Sequence, residues 1–227
     1  MPAFAQLGLA PAPAPGEFDE RHNNCSGKHA GFLAHCVQQG WPLADYLLLE
    51  HPAQQAIRRD VARAVGLAPG DLKVGIDGCS APNYAMPLAS LARGYARLAS
   101  GLADPELGES FAQLAHAMVA HPELVSGTGR SDLALMLAGC GDWVTKAGAD
   151  GVHVVASRSR REAFAVKVAD GNSVAVAAAV VAVLDQLGWL DAGQRQELQA
   201  WRAEALMNLR GIQVGERRAA FSLRVGR

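Results

Sequence analysis

The chain has 227 residues and a formal charge of −1; half of it is hydrophobic and 19% is charged. That is ample apolar material for a folded core and argues against disorder. The near-neutral balance gives no footing for an electrostatic nucleic-acid partner, and no apolar run is long enough to span a membrane.

Residues 9–18 alternate Pro11, Pro13 and Pro15 with alanine, so residues 1–20 read as an extended lead-in and residues 21–227 as one domain. Residues 1–15 carry no basic segment of a secretory signal. The cysteines Cys25, Cys36, Cys79 and Cys140 do not follow a disulfide-scaffold spacing, and a reducing cytoplasm is the expected compartment.

Ser26 is placed to cap a helix over 27–39, with Ala30, Leu33, Ala34 and Val37 on its inner face and Gly40 ending it. A second helix starts after His51 with Pro52 at its first position, Ile57, Val61 and Val65 inside, and Gly66 as its stop. Residues 72–76 read as a short buried strand leading into an Asp77-Gly78-Cys79 turn. Residues 88–98 are helical in pattern. Ser110 and Gln113 read as a capping box ahead of Phe111, Leu114, Ala115, Met118 and Val119, and Pro122 closes that helix.

A tight turn at 126–130 precedes a short helix from Ser131. The pattern then changes. Residues 143–146, 152–156 and 164–168 are three β-rich runs separated by turns, which predicts an antiparallel meander. Residues 173–187 are apolar nearly all round, as a helix buried on that sheet would be. Asp191 and Gln194 form a capping box for a helix burying Leu198, Trp201, Ala205 and Leu209, and residues 221–225 read as a final edge strand. Helices, then strands, then helices give an α+β order.

Four polar clusters stand out. Arg21-His-Asn-Asn-Cys-Ser-Gly-Lys-His29 lies ahead of an apolar helix, whose free N–H groups and partial positive charge favour a thiolate at Cys25. Lys28 is three residues further on, on the same side of the first turn. An ordinary capped helix start explains the cluster equally well. Asp77-Gly-Cys79 follows a strand. If Cys25 and Cys79 meet, two thiolates and a third ligand make a zinc site; two unrelated thiols or a redox pair are the alternatives. Lys146 in Thr145-Lys146-Ala147-Gly148 is similar to the Lys-Thr-Gly strand end of serine penicillin-recognising enzymes, though a solvated strand end looks the same in sequence. Arg130, in Ser126-Gly-Thr-Gly-Arg130, is a candidate carboxylate contact.

Together these pieces resemble one family. His22-Asn-Asn-Cys-Ser-Gly-Lys-His-Ala-Gly31, His51-Pro-Ala-Gln-Gln55, Gly75-Ile-Asp-Gly-Cys79, His121-Pro-Glu-Leu-Val125 with Gly127-Thr-Gly-Arg130, and Lys146-Ala-Gly-Ala-Asp-Gly151 stand in the order of the asparaginase II family, the rhizobial-type L-asparaginases. The resemblance implies an antiparallel sheet flanked by helices, related to serine β-lactamases and glutaminases. It implies hydrolysis of L-asparagine to aspartate and ammonia, in a homodimer. It implies a zinc site at Cys25, Lys28 and Cys79, a substrate role for Asp77 and His29, and Lys146 as the distal catalytic lysine.

The family's nucleophilic serine lies in a Ser-x-x-Lys motif, and no serine here has lysine three residues on. The chain therefore reads as the C-terminal two-thirds of the family architecture, N-terminally incomplete. The alternative expectation is a catalytically inactive remnant that binds metal or asparagine.

Overall fold

The computed structural model describes Gly16 and residues 19–224. Nearly all of the expected Pro/Ala lead-in lies outside those residues. They form two compact units, one ending at Gly94 and one beginning at Tyr95, and both are α+β with small antiparallel sheets.

The first unit opens with a 3₁₀ turn, Glu20–His22, closed by reciprocal hydrogen bonds between Asp19 and His22. Helix α1 (Ser26–Gln39) follows and ends at Gly40, whose φ of 68° is the left-handed conformation glycine adopts without strain. Its cap differs from the expected one. Cys25 is the N-cap, and the Ser26 side chain caps nothing. Asn23 organises the entry instead, its side-chain oxygen accepting from the Cys25 N–H at 2.8 Å. The buried face also differs. Ala30, Ala34 and Val37 are exposed, Val37 by 68%, while His29, Phe32, Leu33 and Cys36 face inward. Rings have more surface to bury than alanine methyls, and His29 and Phe32 both pack on Tyr46.

Helix α2 (Pro52–Val65) starts with proline at its first position and stops at Gly66, as its sequence predicts. His51 is its cap. Its Nδ1 accepts from the Ala53 N–H, so Nε2 carries the proton and donates to the Pro42 carbonyl at 3.0 Å. Ala62 and Val65 pack with Leu72, Val61, Leu67, Tyr84 and Met86 as the core of this unit; Ile57 is only half-buried.

Strand β1 (Lys73–Ile76) pairs antiparallel with β2 (Pro82–Ala85), joined through Asp77–Ala81. The expected burial of β1 is corrected. All four of its residues are exposed, and only Leu72, just before it, is buried. A lone two-stranded hairpin has one covered face at most, and here the core takes Tyr84 from its partner strand. Helix α3 (Leu88–Ser100) then crosses into the second unit.

Helix α4 (Gly108–Ala120) buries Phe111 and Ala115, but Leu114 is 55% exposed. The expected Ser110–Gln113 box does not form, because the helix starts earlier and Ser110 lies inside it. Asp104 orders the approach, accepting from the N–H groups of Glu106 and Leu107 and pairing with Arg97 at 2.7 Å. Arg97 first, then those N–H groups, hold the Asp104 carboxyl at about 2. A lowered carboxyl stabilises the fold above its unfolded value near 4, and that stability disappears as the pH falls toward 2. Asp104→Asn should therefore cost about 2 kcal/mol at neutral pH and only a small fraction of that near pH 2. Urea unfolding of both chains across that range checks the convergence.

Short helix α5 (Pro122–Ser126) and a turn with Gly127 and Gly129 at positive φ lead to α6 (Ser131–Ala138). Strands β3 (Trp143–Ala147), β4 (Val152–Ser157) and β5 (Glu162–Lys167) form the predicted meander in order β3-β4-β5. Helix α7 (Ser173–Gln186), capped by Asn172, lies on it. Val180, Val181 and Leu184 of α7 join Leu135, Trp143, Val155, Trp189, Leu190 and Leu198 in the main core.

The Asp191–Gln194 capping box is present and opens α8 (Ala192–Glu197), with α9 (Gln199–Arg202) after it. The expected continuation as helix is corrected. Residues from Ala203 form β6 (Ala203–Met207), hairpin-paired with β7 (Gln213–Arg218); Leu198 is buried and Trp201 packs on the core, but Ala205 and Leu209 are exposed. Residues 221–224 form no strand, and Val225 lies outside the described residues. Among the described residues, no helix is long and apolar enough to cross a membrane.

Candidate functional site

In the first unit, the N-terminus of α1 and the β1–β2 turn bring Cys25, Lys28, Asp77 and Cys79 together. Asp77 is the hub. Its Oδ1 accepts from the backbone N–H groups of Cys79 at 3.0 Å and Ala81 at 3.2 Å, which shapes the turn. The same oxygen accepts from the Cys79 thiol at 2.9 Å, and Oδ2 takes the Lys28 ammonium at 3.0 Å across 49 residues of sequence. The Cys25 thiol is in hydrogen-bonding reach of Cys79.

The electrostatics correct one expectation. A helix N-terminus was expected to favour a thiolate at Cys25. Burial and then the neighbouring Cys79 push that thiol up, against the pull of Lys28. Burial draws Lys28 down, but its bonds to Asp77 and Cys79 outweigh that and raise it. The Cys79 thiol, followed by Lys28, holds Asp77 at about 2. The cluster thus gathers the Cys79 thiol and the Lys28 ammonium on one carboxylate, with the Cys25 thiol beside Cys79.

Two sulfurs and a nitrogen form a donor set of zinc type, and each must lose a proton to coordinate. Among the described residues, no group of three or more His, Cys, Asp and Glu side chains is arranged to hold a metal. The cluster reaches three donors besides Asp77 only with Lys28 counted.

A cleft of 560 Å³ opens beside this cluster, lined by Arg21, Ser26, His29, Tyr46, Cys79 and Ser80 among others. His29 Nδ1 lies 2.6 Å from the Tyr46 hydroxyl, and its buried Nε2 has no partner among the described residues. Of the residues expected near substrate, Asp77 and His29 both belong to this neighbourhood.

In the second unit, Lys146 stands at the end of β3. Its ammonium donates to the Ala147 carbonyl at 2.7 Å and lies 3.6 Å from Asp132. Asp132 is a residue that the sequence reading missed. It sits in the first turn of α6, and its side chain is 2% exposed. Both of its oxygens accept from the Ala147 N–H, at 2.9 and 3.0 Å. The Thr145 hydroxyl donates to it at 3.2 Å, and His153 Nε2 lies 3.0 Å away.

An ionised carboxylate only accepts, so His153 Nε2 carries the proton and its Nδ1 is left buried without a partner among the described residues. Burial pushes Asp132 up, yet His153, the Ala147 N–H and Lys146 together hold it below the usual carboxylate range. Burial, with the Asp132 charge behind it, pushes the Tyr95 phenol up to about 12. In sequence, an acidic residue in a helix's first turn looks like ordinary dipole compensation. The one available signal was the pair of glycines just before it.

A cleft of 550 Å³ in this unit is lined by Arg130, Asp132, Ala147, Gly148, Trp201 and Arg217 among others. Arg130 is the N-cap residue of α6 and makes no side-chain capping bond. The structure thus places Arg130 on the same cleft as the backbone that follows Lys146.

Among curated proteins, none matches the chain. A family model does: the pattern described as L-asparaginase II covers residues 10–219. That span holds every motif through which the two clusters are built, and the chain belongs to the L-asparaginase II family.

Proposed function

We propose that this chain is an amidohydrolase that converts L-asparagine to L-aspartate and ammonia. Family membership supports an asparaginase-type activity. The observation that carries the finer reading is the convergence of Lys28 and Cys79 on the Asp77 carboxylate, with Cys25 beside Cys79. In this reading Cys25, Lys28 and Cys79 would hold zinc, which would supply Lewis-acid character at that site. Asp77 accepts from the substrate's polar head, and His29 faces the substrate from the adjoining cleft. Lys146 serves as base in Ser-Lys chemistry, and Arg130 contacts a carboxylate.

The proposal extends to the architecture. The three-stranded meander with α7 packed on it is the part of the chain that supports a β-lactamase- and glutaminase-like fold. A cytoplasmic homodimer completes the reading. A second reading has its own support. No serine of this sequence is followed by lysine at the third position, which favours a non-hydrolysing protein that still binds metal or asparagine.

Ammonia release from L-asparagine by the purified chain separates the two readings. Release above the protein-free blank is expected; none at all, with calorimetric asparagine binding retained, establishes the second reading. Zinc has its own test. We expect one zinc per chain by atomic absorption, with Cys79→Ala weakening binding at least tenfold. Affinity should also fall from about pH 8 to about pH 6, because thiols and ammonium must deprotonate to coordinate. Undiminished zinc in both Cys25→Ala and Cys79→Ala would overturn the metal assignment.

A further inference from the structure

The buried carboxylate of Asp132 grips the strand on both sides of Lys146. The Ala147 N–H, one residue after the lysine, reaches both of its oxygens. The Thr145 hydroxyl, one residue before, reaches Oδ1. His153 on β4 buttresses the same oxygen from the neighbouring strand, 3.0 Å from Asp132 and 2.7 Å from Thr145. The lysine ammonium itself lies 3.6 Å from the other oxygen, with its side chain partly in solvent. An ordinary strand end needs none of this. A free backbone N–H there would be satisfied by water, whereas this one is held by a fully ionised group from another element.

We infer that Asp132 is the positioning residue for Lys146: through Thr145 and Ala147 it fixes the strand end, and its carboxylate, 3.6 Å from the ammonium, holds the amine at a set place. The inference rests on the reading of Lys146 as the base, but its test does not require turnover. Asp132 touches no substrate in this role. It acts through Lys146, as a carboxylate from a rigid helix end can.

The test measures the amine directly. The folded chain is labelled with trace acetic anhydride, and the acetylation of Lys146 is compared by peptide mass spectrometry with that of Lys73 on an exposed strand. Only the uncharged amine reacts, and a nearby carboxylate favours the charged form. Asp132→Asn should raise the Lys146-to-Lys73 ratio about threefold or more. Thr145→Val removes one of the two strand contacts but keeps the carboxylate and its grip on Ala147, and should raise the ratio by less than half as much. An unchanged ratio in Asp132→Asn overturns the inference. So does an equal rise in both variants, which would mean loosening rather than charge.

If Asp132→Asn does not fold, the wild-type chain gives the answer through salt. A partly exposed charge pair is screened by added salt. The Lys146 ratio should rise between about 0.02 M and about 1 M sodium chloride; a flat ratio overturns the inference. An absence of asparagine hydrolysis would count against the proposed function and leave these ratios as they are.

Discussion

Asp132→Ala is expected to destabilise the second unit by about 3–5 kcal/mol, the cost of breaking a buried charged network from one side. The carboxylate is 2% exposed and accepts from the Ala147 N–H and the Thr145 hydroxyl, with the His153 ring paired to it. Alanine takes away the acceptor shared by the Ala147 N–H, the Thr145 hydroxyl and His153, and leaves Thr145 and His153 only each other. Each lost acceptor costs about 1–3 kcal/mol, and water from the cleft that Asp132 and Ala147 line replaces it least well at the fully buried Thr145 and His153. Asp132→Asn keeps one acceptor oxygen and should cost less than half as much. Urea unfolding followed by tryptophan fluorescence suits the measurement, because Trp143 and Trp189 belong to the same unit's core. A loss below about 1 kcal/mol for the alanine variant would contradict this picture of the network.

Trp143→Ala should cost a similar 3–5 kcal/mol, for a different reason. Trp143 is 3% exposed and sits in the core cluster with Leu135, Val155, Val180, Leu184 and Trp189. Its ring rests directly on the end of α6. A methyl group added at Gly139 would come within 2.7 Å of the indole, so no side chain fits between them. Removing the indole empties a volume bounded by α6, β4 and α7, and packed elements on that many sides cannot all collapse into it. The loss should appear as a lower unfolding midpoint with little change in slope. Gly139→Ala approaches the same contact from the other side, through overpacking, and should cost about 1–3 kcal/mol.

These two expectations fall on residues that the sequence treated unequally. Trp143 opens an apolar β-run beside turn signals, and its burial follows from periodicity. Asp132 gave no such sign, because its partners Ala147 and His153 lie 15 and 21 positions away and meet it only through the meander. The zinc-type donors were legible as motifs, since each belongs to a contiguous run of polar residues and glycine. Their protonation was not. The helix terminus acts on Cys25 from its own segment, but burial, and then Cys79 and Asp77 arriving from the β1–β2 hairpin, reverse the expected direction.

The errors in the elements have the same origin. Helix stops at Gly40 and Gly66 and the Asp191–Gln194 box were settled locally, because a positive φ or a side chain bonding three residues ahead needs no distant partner. The inner face of α1 was not, since alanines and a histidine–phenylalanine stripe offer two rival faces and Tyr46 chooses between them. Likewise, a helical pattern beyond Gln199 gave way to β6 because Gln213–Arg218 pairs with it.

By itself, then, the sequence determined the α+β order, the meander with its buried helix, the family, and the motifs that carry Cys25, Lys28, Asp77 and Cys79 as candidates. Only the tertiary structure decided which face of α1 is buried, which protons the cluster holds, and that Asp132 stands behind Lys146. Capping, turns and periodicity act within a few residues of chain. Burial and charge act through space, and their outcome depends on which segments the fold brings within a few ångströms of one another.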